Sequence, residues 1–233
     1  RMVQKLGFKG YPEFQNELRE ELKAKAKNPI AKHDNWTEGA PSGHVLNRFT
    51  DAVIDNIRHT LGQIEPATFD RACAMIADTA HPLYIVGGRI THVMAEYLFL
   101  HAQIIRPRVT HIQSTSNAWP HYLLDVGEGD VFVIFDVRRY ENNTLKLAEM
   151  AHARGAKIIL FTDQWRSPVH SLADICFSSR IVAPSAWDSA AATLLLVESV
   201  ISAMQDINWA DTKDRAERLE DMFDQTRLFR KFT

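Results

Sequence analysis

The chain has 233 residues, 45% of them hydrophobic and 24% charged, enough for one α/β core and a small appendage. Its formal net charge of −2 gives no whole-chain attraction for nucleic acid or an anionic membrane. No apolar run reaches the ~18 residues of a membrane span and no segment reads as a signal peptide. The two cysteines, Cys73 and Cys176, lie far apart and read as reduced core thiols, not as a disulfide or metal site.

Arg1 and Met2 already stand inside a helical pattern, with Val3 and Leu6 three apart, so the opening segment reads as the tail of something longer. Gly7 suits a position just past a helix end, and Tyr11-Pro12 restarts a helix with proline at or near its first position. Phe14, Leu18 and Leu22 form an apolar stripe on a charged helix that ends in Lys23, Lys25 and Lys27. So short a segment cannot build its own core and needs a partner surface. Residues 29–44, with Pro29, Gly39, Pro41 and Gly43, read as a linker or an ordered surface arm.

From Val45 the pattern is helical, with Leu46, Phe49, Val53, Ile57 and Leu61 at steps of three or four. A second helix follows Glu65-Pro66, with Phe69, Cys73 and Ile76 on one face. Beyond Pro82 the elements alternate. The pattern predicts a strand at 83–86, a helix at 91–104, a strand at 109–113 and a short helix at 121–125. Residues 131–135 form an unbroken β-branched and aromatic run, as in a parallel strand buried on both faces. The next helix carries Leu145, Ala148, Met150 and Ala151 and ends at Gly155. Strands at 157–162 and 175–178 follow, then helices at about 187–207 and 212–229. This alternation predicts a three-layer α/β/α sandwich around a five-stranded parallel sheet over residues 45–207, with residues 208–233 a C-terminal helix suited to an oligomer contact.

Three segments, in order and spacing, make the core recognisable: Ile85-Val-Gly-Gly-Arg-Ile-Thr91 followed by Ala95, Arg154-Gly-Ala-Lys-Ile-Ile-Leu-Phe-Thr-Asp163, and Ser167-Pro-Val-His-Ser-Leu-Ala-Asp174. They resemble the first glycine-rich loop, the fourth-strand block and the Ser-Pro-Leu-x-x-x-Ala-Asp segment of the sugar isomerase (SIS) domain. The resemblance implies a flavodoxin-like fold that binds phosphosugars. Upstream, Arg1-Met-Val-Gln-Lys-Leu-Gly-Phe-Lys-Gly-Tyr-Pro-Glu-Phe14 resembles the string that closes the recognition helix in RpiR-type (ribose-phosphate-isomerase repressor) bacterial regulators. It implies a cytoplasmic transcriptional regulator whose residues 1–28 are the remnant of a helix-turn-helix domain. Arg1, Gln4 and Lys5 would then face DNA, and Leu6 and Phe8 would pack the small domain. The other reading of Arg1 and Lys5 is solvated helix charge. The expected effector is a small anionic carbohydrate-derived metabolite, with no cofactor or metal expected, and an isologous homodimer is the default symmetry, with a dimer of dimers the alternative.

The departures from the SIS pattern set the candidate site. Typical members carry Ser-x-Ser-Gly-x-Thr after the third strand, whose hydroxyls and amides hold a phosphate at a helix N-terminus. Here the same positions read Asp136-Val137-Arg138-Arg139-Tyr140-Glu141. In the first loop Gly88 remains, Arg89 replaces the second glycine and Thr91 stands in for a serine. Open α/β sheets bind ligands at the carboxyl ends of their strands, where Arg89, Arg138 and Arg139 would converge. A guanidinium grips carboxylate or phosphate bidentately. Alternatively, Arg138 or Arg139 pairs with Asp136, Glu141 or Asp188 to hold the loop. Asp136 would orient an arginine or accept sugar hydroxyls. Ser114 and Ser116, with Thr115, would supply hydroxyls or form a turn. His92 would donate to an anion or stand as a lone histidine. Asp188 and Ser189 would either cap the long helix or close over a ligand. Tyr140 and Trp165 would stack on a sugar face or cover the core. Competing with a regulator are an isomerase using Glu141, Glu198 or His92 as base, and a scaffold that binds no ligand.

Overall fold

A computed structural model describes residues 2–5, 7, 9–15, 18, 43–113 and 115–229. The chain divides into two compact units, one of residues 1–55 with 182–189, the other of residues 56–181 with 190–233. Within the first, Met2–Lys5 is a helical turn. Gly7 follows it at φ +91°, its N–H donating to Gln4 O, in keeping with a glycine just past a helix end. Residues 11–15 are helical, with the Tyr11 and Phe14 rings 6.3 Å apart. The expected packing of Leu6 and Phe8, the stripe through Leu22, the basic run and the linker up to Pro41 lie outside the described residues.

The second unit holds five strands: β1 (Leu83–Gly87), β2 (Val109–Ile112), β3 (Val131–Phe135), β4 (Lys157–Asp163) and β5 (Ile175–Ser179). All pair in parallel, in the order β2-β1-β3-β4-β5. Side chains alternate across the strands, so each face of the sheet acquires its own core. Leu83, Ile85, Val133, Phe135 and Phe161 point to one face, under the helices α2 (Pro66–Ala77), α3 (His92–Ile105) and α6 (Ala191–Ile207). Tyr84, Val86, Phe132, Ile134 and Leu160 point to the other, under α4 (Trp119–Tyr122) and α5 (Asn142–His152). The fold is the expected three-layer α/β/α sandwich, and β1 and β3 are fully buried as their unbroken apolar runs require. Three phenylalanines in register, Phe135, Phe161 and Phe177, run across β3, β4 and β5 with centroids 4.8 and 5.2 Å apart. Such ring pairs contribute ~0.5–1.5 kcal/mol each beyond their burial.

Several boundaries differ from the expected ones. The helix α1 (Val45–Gly62) forms, but its fully buried positions are the polar Asn56 and Thr60, while Leu46 and Leu61 stay exposed. Thr60 is buried because its hydroxyl accepts the Arg180 N–H at 2.9 Å. The short helix comes earlier than 121–125, as a 3₁₀ turn Ser116–Ala118 running into α4, since Pro120 fits only a first turn and Trp119 Nε1 anchors to Gln113 O at 2.6 Å. The helix α5 stops at His152, although Gly155 does take a left-handed φ of +83°. The helix α6 starts at Ala191, not near 187, and the final helix α7 (Trp209–Thr226) ends when Arg227 turns left-handed at φ +51°. Val197 and Val200 of α6 belong to the chain's own core, leaving Leu194 exposed.

Two arginines fasten elements by their backbones. Arg106 is fully buried, and its guanidinium donates to the carbonyls of Ile76 at 2.6 Å, of Pro107 at 3.2 Å and of His81. Burial, with Arg108 nearby, lowers its pKa to about 10, which leaves it cationic at neutral pH. Arg215 of α7 donates to the carbonyls of Gln103 (2.6 Å) and Ile104 (3.0 Å), capping the C-terminal end of α3. Cys73 and Cys176 are both free thiols, and burial pushes Cys73 up to about 12.

Candidate functional site

The strand order reverses between β1 and β3, so the loops that leave their carboxyl ends form the crevice of the sheet. The β1 loop, Gly87-Gly88-Arg89-Ile90-Thr91, turns back tightly on α3. A Cβ on Gly87 would stand 2.5 Å from Thr91 O, and one on Gly88 2.8 Å from Glu141 Oε1. Buried Thr91 locks the loop: its hydroxyl accepts the Gly88 N–H and donates to Phe135 O, both at 2.8 Å. The Arg89 N–H donates to Glu141 Oε1 at 2.7 Å. His92 Nδ1 lies 2.8 Å from Arg89 O, so that ring is turned onto its own loop.

The β3 loop is built on two buried carboxyl groups at the ends of neighbouring strands. Asp163 accepts the Arg138 N–H at 2.8 Å, the Tyr140 hydroxyl at 2.6 Å and the Trp165 N–H at 2.9 Å. Asp136 accepts the Ser167 hydroxyl, and its other oxygen is 3.5 Å from the Glu141 N–H. Burial raises the Asp136 pKa to about 6 against the lowering effect of those hydrogen bonds, and the charges of Glu141 and Asp163 add to the rise. Burial and the bond to Asp163 likewise push the Tyr140 hydroxyl up.

Between these carboxyl groups the chain passes through two consecutive left-handed residues, Arg138 (φ +30°) and Arg139 (φ +60°). Arg139 stands where the sequence pattern has a glycine, the residue that takes a left-handed φ at least cost. A non-glycine residue in this region costs about 1–2 kcal/mol. The Arg138 guanidinium lies over the Trp165 ring, 4.5 Å from its centroid, a cation–π contact. The Arg139 and Arg89 side chains are exposed and form no ion pair among the described residues. The Tyr140 hydroxyl is held by Asp163, and one face of the Trp165 ring is covered by Arg138.

The structure thus gathers Gly88, Arg89, Thr91 and His92 on one loop and Asp136, Arg138 and Arg139 on the next. Ser114 lies outside the described residues, and Ser116 opens the 3₁₀ turn after β2. The N-cap of α6 is Ala190, and Asp188 and Ser189 belong to the segment 182–189 of the other unit. Arg1 is outside the described residues, while Gln4 and Lys5 are exposed. Asp163 and Ser167, which organise the β3 loop, were read only as parts of matching blocks. Glu141, a candidate base or arginine partner in the sequence, accepts the Arg89 backbone N–H through Oε1. Among the described residues no cluster of histidine, cysteine, aspartate or glutamate is able to hold a metal.

A parallel sheet in this order, with two loops meeting where the order reverses, defines an α/β domain of the flavodoxin-like kind. The model of the SIS domain matches residues 76–203, more than half of the chain, and the chain belongs to the SIS domain family. Among solved structures it is similar to the sugar isomerase domain of an RpiR transcription factor from Sphaerobacter thermophilus, with 19% identity and a TM-score of 0.70, covering 76% of this chain and 97% of that one. It is also similar to Vibrio vulnificus NanR complexed with ManNAc-6P, at 14% identity and TM-score 0.66, over 99% of this chain and 81% of that one. A phosphoheptose isomerase from Francisella tularensis matches at 15% identity and TM-score 0.56, over 69% and 96% of the two chains. At these identities the likeness is one of fold. A search of the curated proteins gave no match.

Proposed function

We propose that this chain is the effector-binding part of an RpiR-type transcriptional regulator, whose SIS domain senses a small anionic sugar-derived metabolite, a sugar phosphate or sugar acid. The observation that carries the reading is the pair Arg138-Arg139, held left-handed at the N-terminus of α5 by Asp163, with Arg139 exposed in the glycine position. Strain of this kind is kept where a side chain is needed, and a guanidinium at the carboxyl edge of the sheet suits an anion. Arg89 on the neighbouring loop adds a second exposed cation. The RpiR and NanR neighbours, one of them holding ManNAc-6P, support the same class. The effector would favour one arrangement of a homodimer or dimer of dimers and so bias paired helix-turn-helix domains on DNA.

An isomerase is the competing reading, and the family includes such enzymes. Weighing against it, none of the candidate bases is hydrogen-bonded, among the described residues, to a second carboxylate or imidazole that would form an acid–base pair: Glu141 accepts the Arg89 N–H, Glu198 the Tyr97 hydroxyl at 3.2 Å, and His92 Nδ1 faces the Arg89 carbonyl.

The test is a thermal-shift panel of phosphosugars, sugar acids and neutral sugars on wild type and an Arg138→Ala/Arg139→Ala variant. Ligand at a hundredfold its Kd adds about 2.7 kcal/mol, which for a domain of this size raises Tm by about 5–10 °C. Hits are expected only among anions and only in wild type. A hit indifferent to both arginines moves the sensing site elsewhere. The regulator reading itself fails if the protein with its natural upstream residues binds its own promoter no better than random DNA.

A further inference from the structure

The crevice between the β1 loop and the N-terminus of α5 is occupied from within. Glu141, the N-cap residue of α5, reaches across to that loop and accepts the Arg89 N–H at 2.7 Å. Its carboxylate rests on the bare face of Gly88, 2.8 Å from the place a Cβ would take. The donors that flank it are also engaged: the Gly88 N–H with Thr91 Oγ1 and, more distantly, with Phe135 O at 3.4 Å, and the Thr91 hydroxyl with Phe135 O. A phosphate seated here would need the same amide and would meet a like charge on Glu141 at contact distance. Glu141 Oε2, by contrast, has no partner among the described residues and is able to accept a hydroxyl.

We infer that Glu141 is a specificity-determining residue that bars phosphate from the crevice between the β1 loop and the N-terminus of α5, so that the site selects a sugar acid. Such a ligand gives a hydroxyl to Glu141 and leaves its own negative charge to the exposed arginines, Arg139 and Arg89. The inference rests on the proposed effector site and narrows it, from anionic sugar derivatives in general to those whose anion is a carboxylate held by guanidinium. It also accounts for three changes together. Glutamate in place of the pattern's threonine supplies the resident anion, and arginines in place of two loop glycines supply cations outside the cradle.

Calorimetric titration with inorganic phosphate, ribose 5-phosphate and gluconate tests it on wild type, Glu141→Ser and Glu141→Gln. Each variant is first checked for an unchanged cooperative melt. Removing the resident charge is expected to strengthen phosphate and ribose 5-phosphate binding at least about tenfold in Glu141→Ser, and less in Glu141→Gln, which keeps the bulk. Should the serine variant fail to fold, the glutamine variant carries the comparison. Phosphate binding that is unchanged or weaker in both variants overturns the inference, as does wild type that binds ribose 5-phosphate more tightly than the serine variant does. A different outcome, phosphate affinity rising in Glu141→Ser while gluconate does not bind wild type, upholds the bar against phosphate and removes the sugar-acid selection together with the effector reading. The two failures are therefore distinguishable.

Discussion

Asp136 gives the β3 loop a pH dependence whose direction follows from its raised pKa. An aspartate with an ordinary value near 3.8 that titrates near 6 in the fold binds its proton more tightly when native. Its contribution is therefore fully present below about pH 4 and is lost as the pH rises through about 6. The Asp136→Asn variant should be the more stable protein at pH 8, by ~1–3 kcal/mol, and the two should converge near pH 4. Urea denaturation at several pH values measures this, and a stability difference that does not vary between pH 4 and 8 refutes it. At this scale the sequence displayed the arginines and the displaced glycine, because an aligned loop shows which residue has changed. It concealed the bond from Glu141 to Arg89, which joins loops 52 residues apart. Only the parallel pairing of β1 with β3 brings those loops together.

Elements were legible in proportion to how much of their pattern is local. The apolar runs of β1 and β3 and the periodicity of α1 and α2 are written in consecutive residues, and each appears where expected. Helix ends were less legible, because they depend on partners elsewhere. The helix α6 begins only at Ala191, and α7 extends back to Trp209, where Asn208 donates to Ala77 O at 2.7 Å. Arg215 is the clearest case, since nothing near it in sequence announces that it caps α3. Truncating Arg215→Ala should lower stability by about 1 kcal/mol and speed amide exchange in the first turns of α7. Unchanged exchange there would mean that the two bonds contribute nothing.

For the molecule as a whole, the apolar stripe of α1 reads differently once burial is known. Leu46 is 66% exposed and Leu61 43%, and on α7 Met222 is 55% exposed. Side chains of this size left open on two helices suit a protein surface more than water. The chain is expected to run in light scattering at twice its 26.5 kDa mass or a higher even multiple, and Leu46→Glu/Leu61→Glu should shift it toward monomer. A monomeric wild type at micromolar concentration would sink the oligomer proposal. One further property follows from α3 being fixed at both ends, by the Thr91 bond to β3 at its start and by Arg215 at its close. With 14 residues it is a push rod about 20 Å long. The β1 loop and the seat of α7 are therefore tied to one another through a single rigid element.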